Sequence, residues 1–71
     1  MKVLVVDDNE STRRTMGMML REAKYEVVEA PCGKLALEAV EKHRPDFILL
    51  DLVMPGMDGL TFLAEMRRRG M

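Results

Sequence analysis

Three carboxylates follow two apolar runs of the sequence, and they are the side chains best placed for chemistry. Asp7 and Asp8 come directly after residues 3–6, and Asp51 comes directly after residues 47–50. If these runs are neighbouring parallel strands, the three acids meet at one sheet edge, where open α/β sheets bind ligands. Two such charges about 4 Å apart repel by roughly 4 kcal/mol at an effective dielectric constant of about 20. A divalent cation such as Mg²⁺ relieves this repulsion, and Asp51 can then act as a nucleophile and form an aspartyl phosphate.

A single aspartate after a strand is usually a turn or helix-capping residue. The interpretation as a metal pocket therefore depends on all three acids lying at the same edge, which requires a particular order of elements. Short, β-branched apolar runs predict strands at about 2–6, 26–29 and 46–50. Apolar residues three and four apart predict helices at about 10–23, 33–42 and 59–69. This alternation with short connections predicts an α/β fold with a parallel sheet and right-handed crossovers.

Each predicted helix has an apolar stripe that we expect to pack on the sheet. In the first helix the stripe is Met16, Met19, Leu20 and Ala23. In the second it is Ala36, Leu37 and Val40, and in the third Leu60, Phe62, Leu63 and Met66. Gly17 interrupts the first helix at a cost of roughly 1 kcal/mol relative to alanine.

The composition narrows the class of protein. The chain has 71 residues with a net charge of −1, which gives no general attraction to nucleic acid or to an anionic membrane. One cysteine cannot form an internal disulfide, as is usual in a reducing compartment. The first apolar run is too short for a signal peptide, and no run is long enough to span a bilayer. We therefore expect a cytoplasmic protein that binds neither membranes nor, by itself, nucleic acid.

Four segments resemble the receiver domain of two-component response regulators, in the same order and spacing. They are residues 3–9 (VLVVDDN), 25–30 (YEVVEA), 33–38 (GKLALE) and 46–59 (DFILLDLVMPGMDG). The last segment is the most specific. The resemblance implies a flavodoxin-like fold in which residues 1–71 form the first three β-α units, with sheet order 2-1-3. It also implies a function in two-component phosphorelay signalling.

The resemblance implies a role for each matching site residue. Asp51 would accept a phosphoryl group from the histidine of a partner kinase or phosphotransfer protein. Asp8 and Asp51 would bind Mg²⁺ directly, together with the backbone carbonyl of Val53, and Asp7 would bind it through a water molecule. The loop over the site would be shaped by Met54, Pro55 and Gly56.

The chain departs from the family pattern in its length. Receiver domains have roughly 120 residues and the strand order 2-1-3-4-5, whereas this pattern ends after the third helix. The Ser or Thr after the fourth strand and the Lys after the fifth have no counterpart here. We therefore expect a partial receiver domain that keeps the Mg²⁺ pocket but is phosphorylated poorly. Its third strand, about 46–50, would be an exposed apolar edge, so we expect a homodimer through this strand.

Two other functions stay open. One is a Mg²⁺-dependent phosphohydrolase with an aspartyl nucleophile, which would place Asp-x-Asp after the first strand. Here Asp7 and Asp8 are adjacent and the third acid follows the third strand, which argues against an enzyme. The other is a non-catalytic, self-associating half-domain, structural or engineered, with an idle acidic pocket. Mg²⁺ affinity and oligomeric state would distinguish these functions.

Overall fold

Strands and helices alternate strictly in the computed structural model, which describes residues 1–51 and 59–70. In chain order they are β1 (Lys2–Val6), α1 (Glu10–Glu22), β2 (Glu26–Ala30), α2 (Gly33–His43), β3 (Phe47–Leu50) and α3 (Gly59–Arg68). Each bound differs from the expected one by no more than one residue. Within these described ranges, no helix is long and apolar enough to cross a membrane.

The sheet has β1 at its centre, paired in parallel with β2 on one side and β3 on the other. The central position of β1 agrees with its burial, because Val3 to Val6 are all buried. Val6 is level with both Ala30 and Leu50, so the three strands end together. The predicted parallel α/β fold with strand order 2-1-3 is confirmed.

The core lies between one face of the sheet and helices α2 and α3. Because successive side chains of a strand point to opposite faces, Leu4 and Val6 of β1 both face this layer. The buried cluster consists of Leu4, Val6, Ala30, Ala36, Leu37, Val40 and Phe62. Phe62 is fully buried and is the largest side chain in the cluster, so it is the main link between α3 and the sheet.

The opposite face of the sheet is covered only in part. There α1 packs on β1 and β2, and Val3 and Val5 are buried. Their register partners on β3, Phe47 and Leu49, are 52% and 39% exposed. Among the described residues β3 pairs with β1 alone, so it forms an apolar edge of the sheet, as the sequence predicted.

The predicted stripe of α2 is confirmed, since Ala36, Leu37 and Val40 are all buried. The stripes of the other two helices are partly wrong. Met19 is 64% exposed, Leu60 is 70% exposed and Leu63 is 48% exposed. Periodicity gives the direction of an apolar face, but its burial depends on a neighbouring element, and α1 and α3 are each covered on one side only.

Charged side chains cluster in the last turn of α3. Glu65 accepts hydrogen bonds from Arg68 and from Arg69, whose Nε lies 3.0 Å from Oε1 of Glu65. Arg69 also reaches Glu41 of α2, with 3.0 Å between Nη1 and Oε1. The hydrogen bonds from Arg68 and then Arg69 lower the pKa of Glu65 to about 2 from 4.5. Ionised Glu65 therefore holds both arginines, and Arg69 connects the ends of α2 and α3 through Glu41.

We expect the carboxyl carbon of Glu65 to titrate near pH 2 in nuclear magnetic resonance (NMR) spectra. Because the pKa is lower in the folded chain, the stabilisation is present above about pH 4.5 and is lost as the pH falls towards 2. Replacing Arg68 and Arg69 with alanine should return the pKa towards 4.5. Arg67→Ala is the matched control and should leave it low. A low pKa that survives the double substitution would contradict the assigned cause.

Candidate metal centre

The ends of β1 and β3 hold Asp7 and Asp51 in place through their main chains. The Asp7 N–H donates to the carbonyl of Ala30 at 3.2 Å, and the Asp51 N–H donates to the carbonyl of Val6 at 3.0 Å. Both aspartates therefore extend the hydrogen-bonding pattern of the sheet by one residue. From β1 the chain crosses to β2 on one side, and β3 lies on the other side. This is a topological switch point, where parallel sheets open a crevice at their carboxyl edge.

A tight turn over residues 7–9 connects β1 to α1. The Asn9 N–H donates to Oδ1 of Asp7 at 2.9 Å, which fixes the direction of that carboxylate. Asn9 is also the N-cap of α1, because its Oδ1 accepts a hydrogen bond from the Thr12 N–H at 3.0 Å. Asp8 lies within this turn and is exposed. Local side-chain chemistry thus places two adjacent acids at the start of α1.

The structure brings all three predicted carboxylates together. Asp7, Asp8 and Asp51 each offer an oxygen, and these atoms lie within 4.8 Å of one another. Asp7 and Asp51 are half-buried, whereas Asp8 is exposed. An open crevice beside them is lined by Val6, Asp7, Met16, Leu49, Leu50 and Asp51. Val53, Met54, Pro55 and Gly56, for which the sequence predicted roles in the site, lie outside the described residues.

The donor set fits a small, hard divalent cation. Mg²⁺ prefers oxygen ligands at about 2.1 Å, so opposite ligands of its octahedron are about 4 Å apart. Carboxylate oxygens within 4.8 Å of one another approach this spacing, and a water molecule can bridge a carboxylate that lies further out. One side of the crevice is apolar, with Met16 and Leu49. The arrangement can hold a cation and present a carboxylate oxygen to a second anionic group.

Two residues near the site were not selected from the sequence. Arg13 of α1 donates from Nη1 to the Asp7 carbonyl at 3.0 Å, and its Nε lies 3.4 Å from Oε1 of Glu29 on β2. Glu29 gave a weak signal, because it is an acid within an otherwise apolar part of β2. The sequence gave no signal for Arg13, since a cation beside the apolar stripe of a helix is typical of a solvated surface.

The whole chain matches a known family and known folds. The family model of the response regulator receiver domain matches residues 3–71. Sporulation initiation phosphotransferase F of Bacillus subtilis is 39% identical over 66 residues, covering 93% of this chain and 53% of the relative. The chemotaxis protein CheY4 of Vibrio cholerae superposes with a TM-score of 0.92 at 40% identity, covering 97% of this chain and 57% of the other.

A second similar structure was solved with a ligand. It is the response regulator TrrA of Thermotoga maritima in complex with Mg²⁺-BeF, with a TM-score of 0.88 and 35% identity over 96% of this chain and 59% of the other. In these three comparisons the chain spans between half and three fifths of the matched protein. The family model nevertheless matches residues 3–71, a range that includes all three β-α units. The chain therefore belongs to the response regulator receiver domain family of two-component systems.

Proposed function

We propose that this chain is the phosphoacceptor part of a receiver domain in a two-component phosphorelay. Asp51 takes a phosphoryl group from a phosphohistidine of a histidine kinase or phosphotransfer protein. The observation that carries the proposal is the convergence of Asp7, Asp8 and Asp51, with oxygens within 4.8 Å of one another at the carboxyl edge of the sheet. The names of two similar proteins support it, since one is a phosphotransferase and the other was solved with Mg²⁺-BeF.

The proposed step is a phosphoryl transfer between a nitrogen and a carboxylate oxygen. An oxygen of Asp51 forms a bond to phosphorus while the phosphorus–nitrogen bond of the donor breaks. The electron pair leaves with the imidazole nitrogen, which takes up a proton. The acyl phosphate then remains on Asp51, so the chain is modified and does not turn over as an enzyme. Asp51 has a half-buried side chain at the end of β3. Its main chain is held there by the hydrogen bond between its backbone N–H and the Val6 carbonyl.

Asp8 and Asp51 would hold Mg²⁺ directly, Asp7 through a water molecule, and the carbonyl of Val53 would complete the protein ligands. The cation supplies charge neutralisation, which lets an anionic phosphoryl group approach three carboxylates. Asp7 is suited to an outer position because its Oδ1 already accepts the Asn9 N–H at 2.9 Å. We also propose a cytoplasmic location, where the free thiol of Cys32 stays reduced.

The test is intact-mass spectrometry after incubation with acetyl phosphate, with and without Mg²⁺. We expect one phosphoryl adduct that forms only with Mg²⁺. It should form slowly, because the family's Ser or Thr and Lys have no counterpart in these residues. Far-ultraviolet circular dichroism establishes that the sample is folded. A folded chain that forms no adduct in Mg²⁺ would contradict the proposal.

A second candidate function is self-association through β3, with an idle acidic pocket. It is favoured by the exposure of Phe47 and Leu49, at 52% and 39%, on a strand paired with β1 alone among the described residues. Unpaired edges with apolar side chains favour pairing with another strand. A second copy presents the same edge, so two β3 strands can pair about a twofold axis.

Sedimentation of this chain should depend on its concentration if the β3 edges pair. Phe47→Lys places a charge on the edge and should shift the distribution to monomer. Leu60→Lys is the matched control, since Leu60 is 70% exposed and belongs to α3 and not to β3. A monomer at all concentrations, or equal effects of both substitutions, would exclude pairing through β3.

A further inference from the structure

Arg13 joins three elements beside the acidic site. Its side chain is 14% exposed, although it belongs to a helix that faces solvent on most sides. Nη1 donates to the Asp7 carbonyl at 3.0 Å, and Nε lies 3.4 Å from Oε1 of Glu29. Glu29 precedes Ala30, whose carbonyl accepts the Asp7 N–H at 3.2 Å. The guanidinium therefore connects α1 and β2 to the first residue of the turn that carries the acids.

The packing around Glu29 leaves room for its contact with Arg13. Its second oxygen lies 3.3 Å from Nη2 of Arg21, so the carboxylate is held between two arginines of α1. Gly17 lies between them on the helix and is buried. A Cβ at position 17 would be 3.2 Å from Oε2 of Glu29. Because Gly17 has no side chain, the Glu29 carboxylate can pack against the helix. This explains why a glycine occupies this position although it lowers the helix propensity.

The bond from Arg13 completes the placement of Asp7. The Asp7 N–H donates to the Ala30 carbonyl, and Oδ1 of Asp7 accepts the Asn9 N–H, so both partners are main-chain groups. Its carbonyl is held by a side chain from another element, Arg13. This carbonyl belongs to the peptide that leads into Asp8, so its direction determines where Asp8 lies relative to Asp51.

We propose that Arg13 is a positioning residue for the acidic site, which it orients through the Asp7 carbonyl while Glu29 orients Arg13. The inference rests on the proposed function, because it assigns Arg13 to the binding of Mg²⁺ there. Groups that orient metal ligands without touching the metal commonly change its affinity by about 10- to 100-fold. Arginine suits the task because its planar group donates in two directions at once, whereas a lysine ammonium is a single point of charge.

The test compares Arg13→Ala with Arg21→Ala as the matched control. Both substitutions remove one ion pair to Glu29, at 3.4 and 3.3 Å, but Arg21 lies about 12 Å further along the helix axis. Mg²⁺ affinity is measured by NMR titration of the amide signals of residues 7–9. Hydrogen exchange of the Asn9 amide, measured without metal, reports the stability of the turn over residues 7–9, because this amide donates to Oδ1 of Asp7. Thermal unfolding measures how much each substitution lowers the stability of the chain.

We expect Arg13→Ala to lower stability more than Arg21→Ala, because the Arg13 side chain is 14% exposed and also donates to the Asp7 carbonyl, whereas the Arg21 side chain is 51% exposed. Only Arg13→Ala should weaken Mg²⁺ binding, by about tenfold. Asn9 exchange should also be faster in Arg13→Ala alone, and Arg13→Lys should restore stability more than affinity. Equal Mg²⁺ affinities and Asn9 exchange rates in Arg13→Ala and Arg21→Ala would overturn the inference. If the wild-type chain binds no Mg²⁺, the proposed function fails, and Asn9 exchange then decides the positioning role alone.

Discussion

Replacing Asp51 with asparagine is expected to abolish the phosphoryl adduct completely while the chain stays folded. The amide has almost the shape of the carboxylate, but it carries no negative charge and is a far weaker nucleophile. The fold should tolerate it, because Asp51 is half-buried at the end of β3 and its N–H still donates to the Val6 carbonyl. The measurement is the intact mass after incubation with acetyl phosphate and Mg²⁺, beside the circular dichroism spectrum of each variant.

Two further substitutions make this result specific. Asp46→Asn is the matched control, because Asp46 precedes β3 at the opposite edge of the sheet, where its Oδ2 accepts the Lys2 N–H at 2.8 Å. An asparagine can still accept that bond, so the adduct should form as in the wild type. Asp8→Asn should raise the Mg²⁺ concentration that adduct formation needs, since it removes a metal ligand and leaves the nucleophile.

The chemical nature of the adduct gives an independent check. An acyl phosphate on Asp51 should be removed by hydroxylamine, whereas a phosphate ester on a serine or threonine should resist it. An adduct that persists in Asp51→Asn, or that resists hydroxylamine, would assign the modification to a residue other than Asp51. That outcome would remove Asp51 as phosphoacceptor even if Mg²⁺ binds to the site.

The sheet order 2-1-3 was implied by the resemblance to receiver domains, whereas the meeting of the acids depends on local patterns once β1 and β3 are neighbours. β1 and β3 are short apolar runs that end at an aspartate, and parallel strands in register bring their carboxyl ends to one edge. Once the order of the strands was inferred, the distance between Asp7 and Asp51 was restricted to a few ångströms. The N-cap role of Asn9 also depends on a local feature, because the side-chain oxygen of an N-cap residue accepts a hydrogen bond from the first turn of its own helix.

What could not be predicted depends on contacts between distant residues. The pair of Arg13 and Glu29 joins positions 16 residues apart, and Arg13 does not stand out in its own segment. The exposure of Met19 and Leu60 likewise follows from which neighbours cover α1 and α3. Sequence periodicity describes one element at a time, so it could identify the acids but not the groups that orient them.

Phe62→Ala is expected to remove a large fraction of the free energy of unfolding of the chain. Phe62 is fully buried between α3 and the core cluster around Leu4 and Val6. Truncation of a buried phenylalanine costs about 3–5 kcal/mol, through lost burial and the cavity that remains. At about 0.05–0.15 kcal/mol per residue, a chain of 71 residues has a total stability of roughly 4–11 kcal/mol. The substitution therefore removes a large fraction of it, or all of it.

Urea unfolding followed by circular dichroism measures this effect, with Leu60→Ala as the matched control on the same helix. Leu60 is 70% exposed, so its truncation should change the free energy of unfolding by less than about 0.5 kcal/mol. Equal, small effects of both substitutions would show that α3 does not pack on the sheet in solution. Acidic-site function should also be affected, because Phe62 shares the buried cluster with Val6, and Leu50 packs against this cluster; these two residues precede Asp7 and Asp51. A chain that loses the Phe62 side chain should also lose Mg²⁺-dependent phosphorylation, although no residue of the acidic site has been changed.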